Sequence, residues 1–164
     1  MRRSMIWALV GTIACLFVSS PASFADQLFH SERLPFFRTQ AGEAAGHPLL
    51  RSSHVVDIHP NGPLNAALER YMINGAKPNH SYDVVLRIFD DDCDGAPSVF
   101  DMLQTTTLIT NNKGNAHEKH LFPVGTPLEE PAFVGVYWTL IDENEVVAYE
   151  TDCILVGLDA LPPE

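Results

Sequence analysis

Twelve residues, Asp90 to Asp101, carry five carboxylates in the stretch DDDCDGAPSVFD. Asp90, Asp92 and Asp94 alternate, Gly95 follows, and Asp101 closes the run at the twelfth position. That is the spacing of a calcium loop, whose ligands fall at positions 1, 3, 5 and 12 with Gly at 6. Three departures separate it from an EF-hand. Position 12 is Asp, one methylene shorter than the bidentate Glu. Pro97 stands at position 8. The flanks Val84–Phe89 and Leu103–Thr110 read as strands, not helices. What remains is a looser calcium loop, with Asp90, Asp92, Asp94 and Asp101 as metal ligands, set against a solvated acidic loop. Carboxylates 4 Å apart repel by about 1 kcal/mol per pair in water. A divalent ion would relieve that repulsion, and so would solvent and salt. Solvation is the expected state, and no cofactor other than calcium is suggested.

Other chemistry finds less support. His117-x-x-His120 has the look of a metal pair, but positions three apart on a strand face opposite ways. The seven histidines are therefore expected to be scattered over the surface. No Gly-x-Ser-x-Gly nucleophile elbow is present. Paired carboxylates for glycoside hydrolysis are a matter of spatial separation, which spacing along the chain does not reveal. Asn79-His80-Ser81 is a glycosylation acceptor triplet and, more plainly, a turn.

The N-terminus has the order of a secretory signal peptide: Arg2-Arg3, an apolar run from Met5 to Val18, then Ser23-Phe24-Ala25 before Asp26. Cleavage after Ala25 is expected, and the run is short for a membrane span of ~20 residues. An uncleaved anchor and lipid attachment at Cys15 are the alternatives, the second opposed by Thr12 and the apolar Leu16-Phe17-Val18. Residues 1–25 contain two arginines and no acid, so their loss takes the formal charge from −11 to −13. Such a chain repels phosphate backbones and anionic headgroups, which argues against nucleic-acid binding. Two cysteines remain, Cys93 and Cys153, and in an oxidising compartment such a pair is expected to bridge.

Residues 26–51 lack sustained periodicity and read as an irregular arm. Beyond it, segments rich in β-branched and aromatic residues alternate with Gly, Pro and Asn clusters. They are His54–Ile58, Ala66–Ile73, Tyr82–Phe89, Leu103–Thr110, Ala116–Val124, Phe133–Ile141 and Val146–Leu158. The segment from Leu64 to Ile73 fits both a helical face and a strand, and the connection Asn74–Asn79 favours the strand. Val84 to Phe89 is apolar on both faces, as a central strand would be. Asn111-Asn112-Lys113-Gly114-Asn115 predicts a hairpin between its neighbours.

Seven such strands predict an all-β fold, a single antiparallel immunoglobulin-like sandwich over 52–158 with a tail at 159–164. Ile73–Leu86, INGAKPNHSYDVVL, followed by Leu108–Ala116, LITNNKGNA, resembles exported bacterial β-sandwich modules of the immunoglobulin-like and fibronectin type III-like kind. The resemblance spans about half of the mature chain and implies a fold without catalytic residues. The immunoglobulin disulfide-and-Trp arrangement is not matched in placement: only Cys153 lies in the later half of the mature chain, and Trp138 precedes it closely. The expected function is an exported, non-catalytic binding or cell-envelope interaction module. It would meet a protein or glycan partner through loops at one end of the sandwich. The alternative is a small secreted hydrolase using the carboxylates between Asp90 and Asp101.

For the acidic loop, millimolar calcium at matched ionic strength is expected to leave the melting temperature nearly unchanged. Asp92→Asn/Asp94→Asn should then be as stable as the parent or slightly more so. A calcium-specific rise of roughly 4 °C or more, lost in the double variant, would show a bound ion instead.

Overall fold

A computed structural model of the chain describes residues 29–60, 66–90, 93, 99–123 and 132–158. Within them the elements run β1 Phe29–Pro35, β2 Phe37–Arg38, α1 Gln40–Ala44, β3 His54–Pro60, β4 Ala67–Ile73 and β5 Ser81–Asp90. They continue with β6 Val99–Ile109, β7 Ala116–Phe122, β8 Ala132–Asp142, β9 Val147–Glu150 and β10 Ile154–Leu158. A front sheet has the order β1-β3-β4-β7; a back sheet has the order β2-β9-β8-β5-β6, with β10 also beside β8. Every pairing is antiparallel. The fold is an all-β, two-sheet arrangement, as the alternating segments require.

Period two wins at β4: Glu69, Tyr71 and Ile73 are buried while Arg70 and Met72 are exposed. β5 is central, held by β6 on one side and β8 on the other. The core lies between the sheets, where Val55, Tyr71 and Ile73 meet Tyr82, Val84, Leu86, Leu108, Trp138 and Leu140. Burying each such side chain contributes about 1.5–3 kcal/mol. Two polar side chains of the core meet across the gap at each of two points. Trp138 Nε1 donates to Glu69 Oε1 at 2.9 Å, joining back sheet to front. The Tyr71 hydroxyl meets Thr105 Oγ1 at 2.7 Å. Thr105 is the extra residue of a bulge, since Val84 pairs with Thr106 and Val85 with Gln104. The bulge turns its hydroxyl toward the core.

Three expectations need correction. Residues 29–51 are not an irregular arm. Their first seven pair with β3 throughout, from Phe29↔Pro60 to Pro35↔His54, and Phe37-Arg38 pairs with β9. β1 is an edge strand and ends in proline, a residue that edges tolerate; its partner lies beyond local pattern. Second, Thr105–Thr110 and Ala116–Val124 do not form a hairpin, because β6 pairs with β5 and β7 with β4. The turn itself was legible. Gly114 takes φ +75°, and the Asn111 side chain accepts from the N–H of Lys113 and Asn115. It carries the chain from one sheet to the other, and a Cβ on Gly114 would collide with the Ala76 carbonyl of the neighbouring connection. Third, the described residues hold ten strands, where the alternating segments gave about seven. β1 and β2 are added, and the last return is split where Thr151 to Cys153 bulge opposite Tyr137 and Trp138.

Cys93 and Cys153 are disulfide-bonded with a Cα–Cα distance of 5.7 Å, tying the connection after β5 to that bulge. Closing 60 residues of sequence restrains the unfolded chain by about 4 kcal/mol in the entropy account. Intact mass after alkylation without reductant should therefore show no labelled thiol. Reduction should lower the unfolding free energy by up to about 4 kcal/mol. Two labelled thiols before reduction would refute the bridge.

Candidate functional site

Among the described residues, side chains capable of chemistry gather in two places: one at the end of the sandwich where β5 begins and β8 finishes, the other between the sheets.

At the first, His47 is placed by local rules. Thr39 caps α1 by accepting from the N–H of Gly42 at 2.8 Å. Gly46, at φ +73°, ends the helix, with its N–H on Glu43 O and that of His47 on Gly42 O. This is the Schellman arrangement, and Pro48 prevents the helix from resuming. The His47 ring, 1 % exposed, thereby enters the end of the sandwich. Asp142 comes from the β8–β9 turn. Its Oδ1 accepts from the N–H of Asn144 and Val146, each at 2.9 Å, and its Oδ2 faces His47 Nε2 at 3.0 Å. His47 Nδ1 lies 3.1 Å from the Tyr82 hydroxyl, and the Tyr149 hydroxyl donates to Pro48 O. His80, just before β5, packs its ring 5.0 Å from Tyr82 and 5.6 Å from His47. Lys77 donates to Ala45 O at 3.0 Å, with its Nζ 3.5 Å from His47 Nε2.

The charge states follow from these contacts. Burial opposes ionisation of Asp142, but the N–H groups of Val146 and Asn144 and the His47 ring outweigh it and hold the carboxyl at about 2. Burial lowers the pKa of His47, and Lys77 pushes the same way against Asp142. A neutral imidazole therefore donates Nε2–H to an ionised carboxylate and accepts from Tyr82. The three groups His47, His80 and Asp142 bring ligand atoms within 4.8 Å of one another.

The second gathering is a row across the front sheet, Glu32↔Asp57↔Glu69, on the face turned to the core. Asp57 is 5 % exposed and Glu69 1 %. Burial, then the charge of Asp57, raises Glu69 to about 8; burial, then Glu32, raises Asp57 to about 6. Glu69 Oε1 accepts from Trp138, while Glu69 Oε2 and Asp57 Oδ1 have no hydrogen-bond partner.

The residues singled out from sequence fare differently. Asp92 and Asp94 lie outside the described residues, as do residues 1–28 with the predicted signal peptide and residues 159–164. For Asp90 and Asp101 only the backbone is described, at the ends of β5 and β6, so the flanks are strands as expected. His117 and His120 both fall on β7. His117 pairs with Met72, and His120 stacks edge-on against Phe122 at 4.5 Å. They do not join the histidine cluster. The histidines are not all on the surface: His47 and His59 are buried. Asn79 sits in a turn at φ +50°. Sequence reasoning missed His47, His80 and Asp142, although Thr39, Gly46 and Pro48 announced the helix stop that sets His47.

Neither a protein-family model, nor a curated protein, nor a solved structure matches the chain. No helix among the described residues is long and apolar enough to cross a membrane.

The raised carboxyls fix a pH dependence. A carboxyl with a folded pKa above its unfolded one binds more protons when folded, so stability falls as pH rises between the two values. For Glu69 that window runs from 4.5 to about 8. His47, lowered from 6.5, contributes the opposite slope below that value. Between about pH 6.5 and 8 the melting temperature should therefore fall, by roughly 4 °C or more. Glu69→Gln should flatten that slope and exceed the parent in stability at the alkaline end. A parent curve flat across the window would contradict the burial of an ionisable Glu69.

Proposed function

We propose that this chain is an exported, non-catalytic β-sandwich module that binds an acidic partner protein through the outer face of its front sheet. The observation that carries the reading is the charge of that face. Arg33, Arg70 and Lys119 stand in one cross-strand row with Val56 between the two arginines. His54, Met72 and His117 form the row on one side of it, and Ile58, Leu68 and Leu121 the row on the other. No acid belongs to these rows, in a chain whose formal charge is −11. Met72 and Leu121 are 42 % and 68 % exposed. A groove of about 600 Å³ runs past His54, Arg70, Met72, His117 and Lys119, with Glu118 also on its lining.

Cations over an exposed aliphatic floor suit an extended segment carrying both carboxylates and aliphatic side chains. A face-to-face pairing of two copies would set the basic row against itself. The disulfide fits an oxidising compartment, which supports export. Strand pairing supports the immunoglobulin-like kinship: β4 pairs with β7, β5 with β8, and β8 with β9, as B pairs with E, C with F and F with G in that fold.

The hydrolase alternative has one observation in its favour, the perturbed pair Asp57 and Glu69. Both are sealed between the sheets, and Glu69 is engaged by Trp138, so a substrate would have to part the sandwich to reach them.

A fluorescent peptide of alternating Asp and Leu should bind the mature protein, and binding should weaken as salt is raised. Arg70→Glu/Lys119→Glu should weaken it by about tenfold or more, and Arg87→Glu, on the back sheet, should leave it intact. Equal binding by parent and double variant would overturn the reading.

A further inference from the structure

The cluster of His47, His80 and Asp142 leaves one group over once its structural contacts are counted. His47 uses both ring nitrogens, on Tyr82 and Asp142. Asp142 Oδ1 is taken by two N–H groups of its own turn. His80 Nε2 is buried and has no hydrogen-bond partner, lying 3.8 Å from Asp142 Oδ2, beyond bonding reach. Its other nitrogen is 3.7 Å from the exposed Glu143. Buried polar atoms without partners are rare, and one aimed at a carboxylate oxygen beside a second imidazole points to a ligand between them.

We propose that His47 Nε2, His80 Nε2 and Asp142 Oδ2 form a site for a zinc-class divalent cation, separate from the binding face of the front sheet. Ligands bound at 2.0–2.2 Å in tetrahedral geometry stand about 3.3 Å apart. The separations of 3.0 Å and 3.8 Å to Asp142 Oδ2 bracket that value, and all three ligand atoms lie within 4.8 Å of one another. Two imidazoles and one carboxylate select zinc and its neighbours over calcium or magnesium, which take oxygen ligands. On binding, the proton of His47 moves from Nε2 to Nδ1, where it is donated to the Tyr82 hydroxyl. That is the outer partner a metal-bound histidine needs to fix its ring. His80, partly open to solvent at 13 % exposure, leaves the fourth position to water.

One neighbour opposes the ion. The Lys77 ammonium stands 3.5 Å from His47 Nε2 and must swing outward, giving up its bond to Ala45 O. The site is therefore weakened by a removable charge, which supplies a test that a purely structural cluster would not pass.

The test titrates Zn²⁺ into chelator-stripped mature protein by calorimetry, with a melting curve at each end point. The parent should bind one ion per chain and melt at a higher temperature with it. His80→Ala should bind about a hundredfold more weakly, and zinc should no longer raise its melting temperature. Lys77→Ala should bind more tightly than the parent. His117→Ala, on the far face of the sheet, should bind as the parent does. Absence of one-to-one binding in the parent overturns the proposal, as does undiminished binding in His80→Ala. Should His80→Ala fail to fold, the direction of the Lys77→Ala change decides: weaker or unchanged binding refutes the site.

Discussion

The register of the front sheet decides on which side of a strand each charge falls, and much else follows from it. Period two puts Glu32, Asp57 and Glu69 on the inner side and Arg33, Arg70 and Lys119 on the outer. A slip of one residue would exchange the two sets. The inner acids must then be neutralised or bonded, because an isolated carboxylate in an apolar interior is costly. Glu69 meets that demand by holding its proton and accepting from Trp138, which makes a polar residue part of the joint between the sheets. The outer set leaves a basic row on the outer face of an acidic chain. Interior chemistry and exterior charge are two results of one alternation.

The end of the sandwich is organised differently, by loops that each bring one group. A capped five-residue helix sets His47, an Asx-type turn sets Asp142, and the connection into β5 sets His80. The rings of His47, Tyr82 and Tyr149 fill the space between, with centroids 5.7–5.8 Å apart. Tyr149 also holds the chain at Pro48. These contacts bind the N-terminal lead-in to a turn some 95 residues later, so the lead-in belongs to the domain.

What the sequence disclosed was local. Alternation named the strands from His54 onward, including the ambiguous Ala67–Ile73, and two cysteines named their bridge. Asn111–Asn115 disclosed a turn but not the sheet to which each flanking strand belongs, since that depends on partners far along the chain. β1 escaped notice because Phe29–Pro35 mixes polar and apolar residues and owes its strand to β3. His47 and Asp142 escaped because nothing short of the fold brings them together. Glu69 stands in phase with the buried Tyr71 and Ile73, and a buried, protonated carboxyl accommodates it there. The acidic stretch Asp90–Asp101 lies largely outside the described residues.

The claim on which this rests, that the front sheet turns its acids inward, is open to direct measurement. Carboxyl carbon shifts of Glu69 and Asp57, followed by NMR through a pH titration of the folded protein, report each group separately. The account predicts a midpoint near 8 for Glu69 and near 6 for Asp57. Midpoints at the ordinary values of 4.5 and 3.8 would place both carboxyls in water and contradict the register described here.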